Sequence, residues 1–464
     1  MTILMLTTVA VVAYGILSRR YERALALGAV TPAGAAIAVG TEALPTFYAV
    51  ALGGLGLLVW QWFARGGRPG APPLSAIPGV SLLLALLGWA IVVVLLAPLA
   101  FPGMTTVTDP VARLVPGSIS TSNIAQLLYL GLSITIVVIV ARSTTTAPTL
   151  LAIPLGIGIA LSLWRYLSLR AGVPFPDGVF DNSPGLVYIE QAAGGVPRFR
   201  GIHSEPSGLA VTAMAAAAYG FSFAAHVRGW RRVGFLALGV VAVFLGIEST
   251  STTFLVGGAM LVAFAGAFLL WRLVRLHLVV TRGAAVVALA VVALVIVLLP
   301  SLLGQFTAEV DAKLDSASFT ERSSSDARSF EAFIGSWGVG IGLGSVRASS
   351  LFFTLLGAVG VVGIILFVTA VLSVILPALR LSGHSPVVWA LLAALLGKAI
   401  ASPDLSGPSG VLWLSLGILA HGILVARRDA TDPGGAEHPP PRRSLEAIAR
   451  ATRRRLRREA DAKL

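Results

Sequence analysis

Apolar residues run along this chain in blocks of about 17 to 25 that avoid Asp, Glu, Lys and Arg, the length a helix needs to cross a membrane. The blocks are apolar throughout and lack the two-residue alternation of barrel strands, which excludes a strand barrel. In order, they predict spans near 2–18, 24–42, 45–64, 79–101, 122–142, 148–164, 207–226, 233–248, 253–271, 280–303, 350–379, 386–402 and 410–426. The expected fold class is an all-α polytopic membrane protein of about 12–14 transmembrane helices. Thr31-Pro32-Ala33-Gly34 interrupts the second span.

Arginines orient these spans. No positive residue precedes the first block, and Arg19, Arg20 and Arg23 follow it, so it reads as a retained span and not a secretory signal. If the amino end is outside, one set of alternate connections carries Arg65, Arg68, Arg142, Arg228, Arg231 and Arg232. The same set carries Arg272, Arg275, Arg282, Arg380, Arg427 and Arg428; Arg113 is the exception. Residues 1–427 then form one transmembrane domain and 428–464 a basic cytoplasmic tail. That tail either lies as a helix on the anionic leaflet or stays solvated. Two long segments fall outside, Arg165 to Ser207 and Gly304 to Ser349, and both mix acids with bases. Long external segments are where a membrane enzyme can keep a site.

The first of them closes on Arg198-Phe-Arg200-Gly-Ile-His203-Ser204-Glu205-Pro206-Ser207. Ser204 is the expected N-cap of the next span and Pro206 suits its first turn. The exposed amides of such a helix start, with Arg198 and Arg200 beside them, make an anion site. Glu205 either pairs with those arginines or works as a base near a bound anion. The second segment carries Arg328 and then Ser336-Trp-Gly-Val-Gly-Ile-Gly-Leu-Gly-Ser345-Val-Arg347. The alternating glycines do not match a dinucleotide fingerprint, since no strand precedes them. They predict an extended turn that either brings backbone amides close to a ligand or returns the chain to the membrane as a hairpin. Lys398 sits inside a span with Asp404 six residues on, as a cavity-facing group or as half of a pair; Glu248 is a candidate partner for an outer arginine.

Composition agrees. The chain is 56% hydrophobic and 12% charged, about half the charge of a soluble domain. Its net charge of +13 is accounted for by the membrane-flanking arginines, so no nucleic-acid partner is implied. There is no cysteine, which removes thiolate chemistry and disulfides together. Neither a cofactor nor a metal is expected: no H-E-x-x-H spacing is present.

The motif pair, Arg with Ser-Glu-Pro-Ser before one span and Arg with Gly-x-Gly-x-Gly-Ser-x-Arg before another, resembles the O-antigen polymerase and ligase superfamily. The likeness covers roughly residues 120 to 427, including the Glu248–Thr253 turn, and is closest to the exopolysaccharide polymerase branch. The second long segment has no histidine, where ligases typically carry one. The resemblance implies a metal-independent, inverting membrane glycosyltransferase of GT-C type in the bacterial cytoplasmic membrane, with its site facing outward. Its partners would be a polyprenyl-pyrophosphate-linked glycan donor, a glycan acceptor, membrane lipids and a chain-length regulator. Glu205 is the first candidate base and His203 the second. Arg198, Arg200, Arg328, Arg347, Ser345 and Lys398 are the candidates for holding the substrate and its pyrophosphate. Transfer of a lipid-linked glycan by a ligase is the second reading and a glycolipid transporter the third.

Overall fold

The computed structural model describes residues 2–39, 42–65, 72–108, 111–183, 188, 198–276, 317–401, 405 and 410–431. Among them are fourteen α-helices. The first seven are α1 (Ile3–Leu17), α2 (Tyr21–Gly28), α3 (Thr46–Arg65), α4 (Val80–Ala100), α5 (Thr121–Arg142), α6 (Ala152–Ala171) and α7 (Asp177–Phe180). The rest are α8 (Pro206–Ala224), α9 (Trp230–Glu248), α10 (Thr252–Leu276), α11 (Ala317–Gly335), α12 (Leu351–Ala378), α13 (Ser385–Ala401) and α14 (Val411–Thr431). Eight stretches are long and apolar enough to cross a membrane, on α3, α4, α5, α6, α8, α9, α12 and α14. The chain is thus an all-α polytopic membrane protein. The span expected near 280–303, Asp404, and the tail beyond 431 lie outside the described residues.

The second expected span is not a helix of membrane length. After α1 the chain makes the eight-residue α2, an extended passage, and a hairpin of β1 (Ala35–Val39) on β2 (Glu42–Pro45), paired Ala38 with Ala43. Pro32 and Gly34 stop the helix. The segment nevertheless joins the two ends of the bundle. At one end Glu22 accepts hydrogen bonds from Ser143 and Thr145, just beyond α5. At the other, the Gly34 carbonyl accepts the Thr46 amide at 3.1 Å, and Leu4 lies against Gly34. Ala24, Leu25, Ala26, Ala33 and Ala35 are buried. Non-helical backbone at membrane depth is tolerated where protein surrounds it.

Lipid is as apolar as leucine, so helices in it must associate through close packing of small residues. α8 shows this along Ala210, Ala213, Ala215 and Ala216, all buried. It packs most extensively on α9 and α13. A Cβ at Gly220 would meet the Phe235 carbonyl oxygen at 2.7 Å, so there the backbones of α8 and α9 nearly touch. Elsewhere in the bundle α14 fits Gly417 against Val140 of α5.

α12 is broken at Gly360, whose φ of 60° and ψ of −161° are not helical. The freed backbone groups around the break are satisfied from outside: Ile341 and Gly342 donate to the carbonyls of Gly357 and Ala358 at 2.8 and 2.9 Å, Val361 donates to Gly338, and the Trp89 indole donates to Val359 at 2.8 Å. The alternating glycines therefore splice a helix break, and the first half of α12 is capped by a loop that only glycine can build.

Candidate functional site

α8 starts with Pro206 at its first position, as expected, but its N-cap is Glu205 and not Ser204. The residue before a proline is driven to extended backbone, and Glu205 adopts φ −135° and ψ 153°. Its side chain makes no cap bond. The half-buried carboxylate accepts from Ser207 Oγ at 3.0 Å and, among the described residues, pairs with no cation.

Arg198 and Arg200 have different fates. Arg200 is 3% exposed; both of its terminal nitrogens bind the Asp181 carboxylate, one of them also donates to the His203 carbonyl at 2.7 Å, and its guanidinium lies 4.9 Å from the Tyr188 ring centre. Arg165, also buried, binds Asp177 at 3.0 Å and Asp181 at 3.1 Å. Two arginines and two aspartates thus close into a neutral cluster that engages Arg200. Arg165 also lies on α6, which runs on to Ala171 where the sequence predicted a loop from 165. Arg198 stays partly exposed, with Nη2 3.5 Å from the Thr250 carbonyl in the turn after α9. In the same turn Glu248 pairs with Arg170 at 3.7 Å.

His203 is buried, its ring against Gly208 in the first turn of α8. Burial, reinforced by the charge of Arg200, pushes its imidazole down to about 3. It is neutral at physiological pH and a poor proton acceptor. It lines a small void with Thr212, whose buried hydroxyl has no hydrogen-bond partner.

In the second segment, 317–335 is the helix α11 and not loop, packed on the start of α12 through Ser329, whose hydroxyl donates to Phe353. Phe330 and Ile334, one turn apart on this helix, are exposed, as is Trp337 just beyond its end. Arg328 on this helix is half-buried and its Nε is enclosed without a hydrogen-bond partner. Asp326 holds Ser349 through both its amide and its hydroxyl. The amides of Ile341 and Gly342 serve α12, so of the two outcomes open for the glycine turn, the return hairpin is the one formed. Ser345 is buried; its hydroxyl accepts from Asn123 Nδ2 at 2.9 Å and its carbonyl accepts from Val107. Arg347 is exposed, with its amide bonded to Val107. Lys398 is buried on α13 beside Gly397, which rests on Val211 of α8.

The two segments share one end of the bundle. The β1–β2 hairpin links them: Asn182, just after α7, bonds both backbone groups of Ala35, while Tyr129 in the first half of α5 reaches Ala43. The start of α5 in turn holds Leu343 through Asn123 at 2.7 Å. Arg198, Glu205 and Arg328 therefore stand at the same end, opposite the turns that carry Arg19, Arg20 and Arg228. Sequence reasoning missed Asn123, Trp89 and Arg165. For Asn123 a signal existed, the Ser120-x-x-Asn123 capping box.

No protein-family model matches the chain, and it matches no curated protein.

Proposed function

We propose that this chain is a membrane-embedded glycosyltransferase that polymerises polyprenyl-pyrophosphate-linked oligosaccharides, at the outer face of a bacterial cytoplasmic membrane. The observation that carries the reading is the half-buried carboxylate of Glu205, paired with no described cation, at the bundle end that also bears Arg198 and Arg328. The guanidinium of Arg328, whose enclosed Nε has no hydrogen-bond partner, supplies positive charge for an anion. In the reaction Glu205 takes the proton from an acceptor sugar hydroxyl. That oxygen attacks the anomeric carbon as the bond to the pyrophosphate oxygen breaks on the opposite side, inverting the configuration. The arginines stabilise the charge that develops on the departing diphosphate. His203 is a poor base because its burial lowers its basicity.

The test supplies purified full-length protein with a polyprenyl-pyrophosphate-linked oligosaccharide and resolves products by size. A ladder is expected from the wild type, and none from Glu205→Gln or Arg328→Gln at unchanged thermal stability. Full ladders from both variants overturn the reading. A single transfer to a lipid acceptor identifies a ligase.

A further inference from the structure

α3 and α4 both pack on α5, and a trough of about 1440 Å³ is lined by residues of all three helices. Small-ligand sites occupy roughly 300–1,000 Å³. The floor follows α5 from Ile124 to Arg142, about 27 Å at the helical rise, close to the ~30 Å of a hydrocarbon core. The walls are aliphatic, from Leu55 and Leu58 on one side and Leu87 and Ile91 on the other. Glycines hold it open: a Cβ at Gly56 would meet nothing within 4 Å, and one at Gly131 only Leu87, at 3.9 Å.

Charge gathers at one end. Arg19 and Arg142 line the trough where α1 and α5 finish, flanked by the exposed Trp60 and Trp62. Tryptophans at that level mark a membrane interface. Arg19 sits at φ 57°, in the left-handed region where glycine is the usual residue after a helix. Arg142 gives Nε and Nη2 to the Pro72 carbonyl at 3.1 and 2.7 Å, and its guanidinium has further N–H groups to offer. Glu22 also lines this end, but its two oxygens accept hydroxyls from Ser143 and Thr145. Two cations against one anion leave the mouth positive. An apolar trough of membrane height with a cationic mouth matches an amphiphile with an anionic head.

We infer that the trough seats one anionic phospholipid, its phosphate held by Arg19 and Arg142 and an acyl chain laid along Gly131. Such a ligand points opposite to a glycan donor, whose diphosphate belongs at the other end of the bundle, and the assignment stands independently of the proposed transferase activity.

The full-length protein is reconstituted in nanodiscs of equal phosphatidylglycerol and phosphatidylcholine, extracted into mild detergent, and its retained lipid counted by native mass spectrometry. One phosphatidylglycerol per chain is expected, favoured about tenfold over phosphatidylcholine. Arg19→Gln should bring the two lipids to parity. Gly131→Leu and Gly56→Leu, each placing its side chain in open space, should cut retention about tenfold at unchanged thermal stability; either one that folds suffices. The inference is overturned if the wild type retains both lipids equally or none, or if the folded leucine variants keep phosphatidylglycerol like the wild type. The same holds if added polyprenyl phosphate displaces it from Arg19.

Discussion

The indole of Trp89 on α4 donates to the Val359 carbonyl on α12 at 2.8 Å, one residue before the backbone break at Gly360. This single bond replaces one that the interrupted helix cannot make. Trp89→Phe keeps the ring and removes the donor. Thermal unfolding in detergent should show a loss of about 1–3 kcal/mol, the cost of a buried carbonyl left unsatisfied.

Two glycines with left-handed backbone can be separated by what surrounds them. Gly340 has φ 92°, and a Cβ there would stand 2.6 Å from the Ala358 carbonyl. Gly103 has φ 77° with nothing within 4 Å. Gly103→Ala should therefore cost only about 1–2 kcal/mol, the left-handed penalty. Gly340→Ala should cost more, since α12 and the loop must also part. Equal midpoints for the two variants would show that the contact contributes nothing.

Arg200 and Arg328 should answer differently to the same substitution. Arg200→Gln leaves the partly buried Asp181 with one guanidinium fewer, a change that should cost about 3 kcal/mol, the low end for breaking a buried pair. Its signature is low yield and a lowered melting temperature, and Arg200→Lys should not rescue it because the pairing is bidentate. Arg328→Gln should melt like the wild type and lose glycan elongation.

His203 makes stability depend on pH with a definite sign. Its folded value lies near 3, below the ordinary 6.5, so between those values the unfolded chain binds the proton that the folded chain refuses. Stability is fully present above about 6.5 and falls with pH at roughly 1.4 kcal/mol per unit. Between pH 7 and pH 5 the wild type should lose about 2 kcal/mol, and His203→Asn should not show this component in melting curves.

Much of the fold was legible because span length and arginine placement are set by the bilayer itself. The spans around Val80–Ala100, Thr121–Arg142 and Trp230–Glu248 match helices within a few residues. The passage at 24–42 misled because an average over its apolar residues hides Pro32 and Gly34, which end α2 after eight residues. The start of α8 was readable from Pro206, and the Glu248 pairing from its expected place at the same end as the loop arginines. What sequence could not distinguish was which arginine meets an acid. Arg200 and Arg198 are two positions apart in one motif, and only the fold brings Asp181, nineteen residues away, onto one of them. The glycine repeat was ambiguous for the same reason: its partner, the break at Gly360, lies in a span that reads as continuous.

The buried crossing between α1 and α3 also constrains how the protein is made. Both helices run in the same direction, Leu4 beside Gly34 and Val12 beside Gly53, so residues 18–45 must be carried back through the bilayer between them. An eight-residue helix bearing Glu22 cannot partition into lipid unaided. Its hydroxyl partners Ser143 and Thr145 emerge from the ribosome more than a hundred residues later. The amino-terminal quarter therefore reaches its final arrangement after α5 is synthesised, and truncation before Arg142 should leave α2 accessible to water-soluble labels.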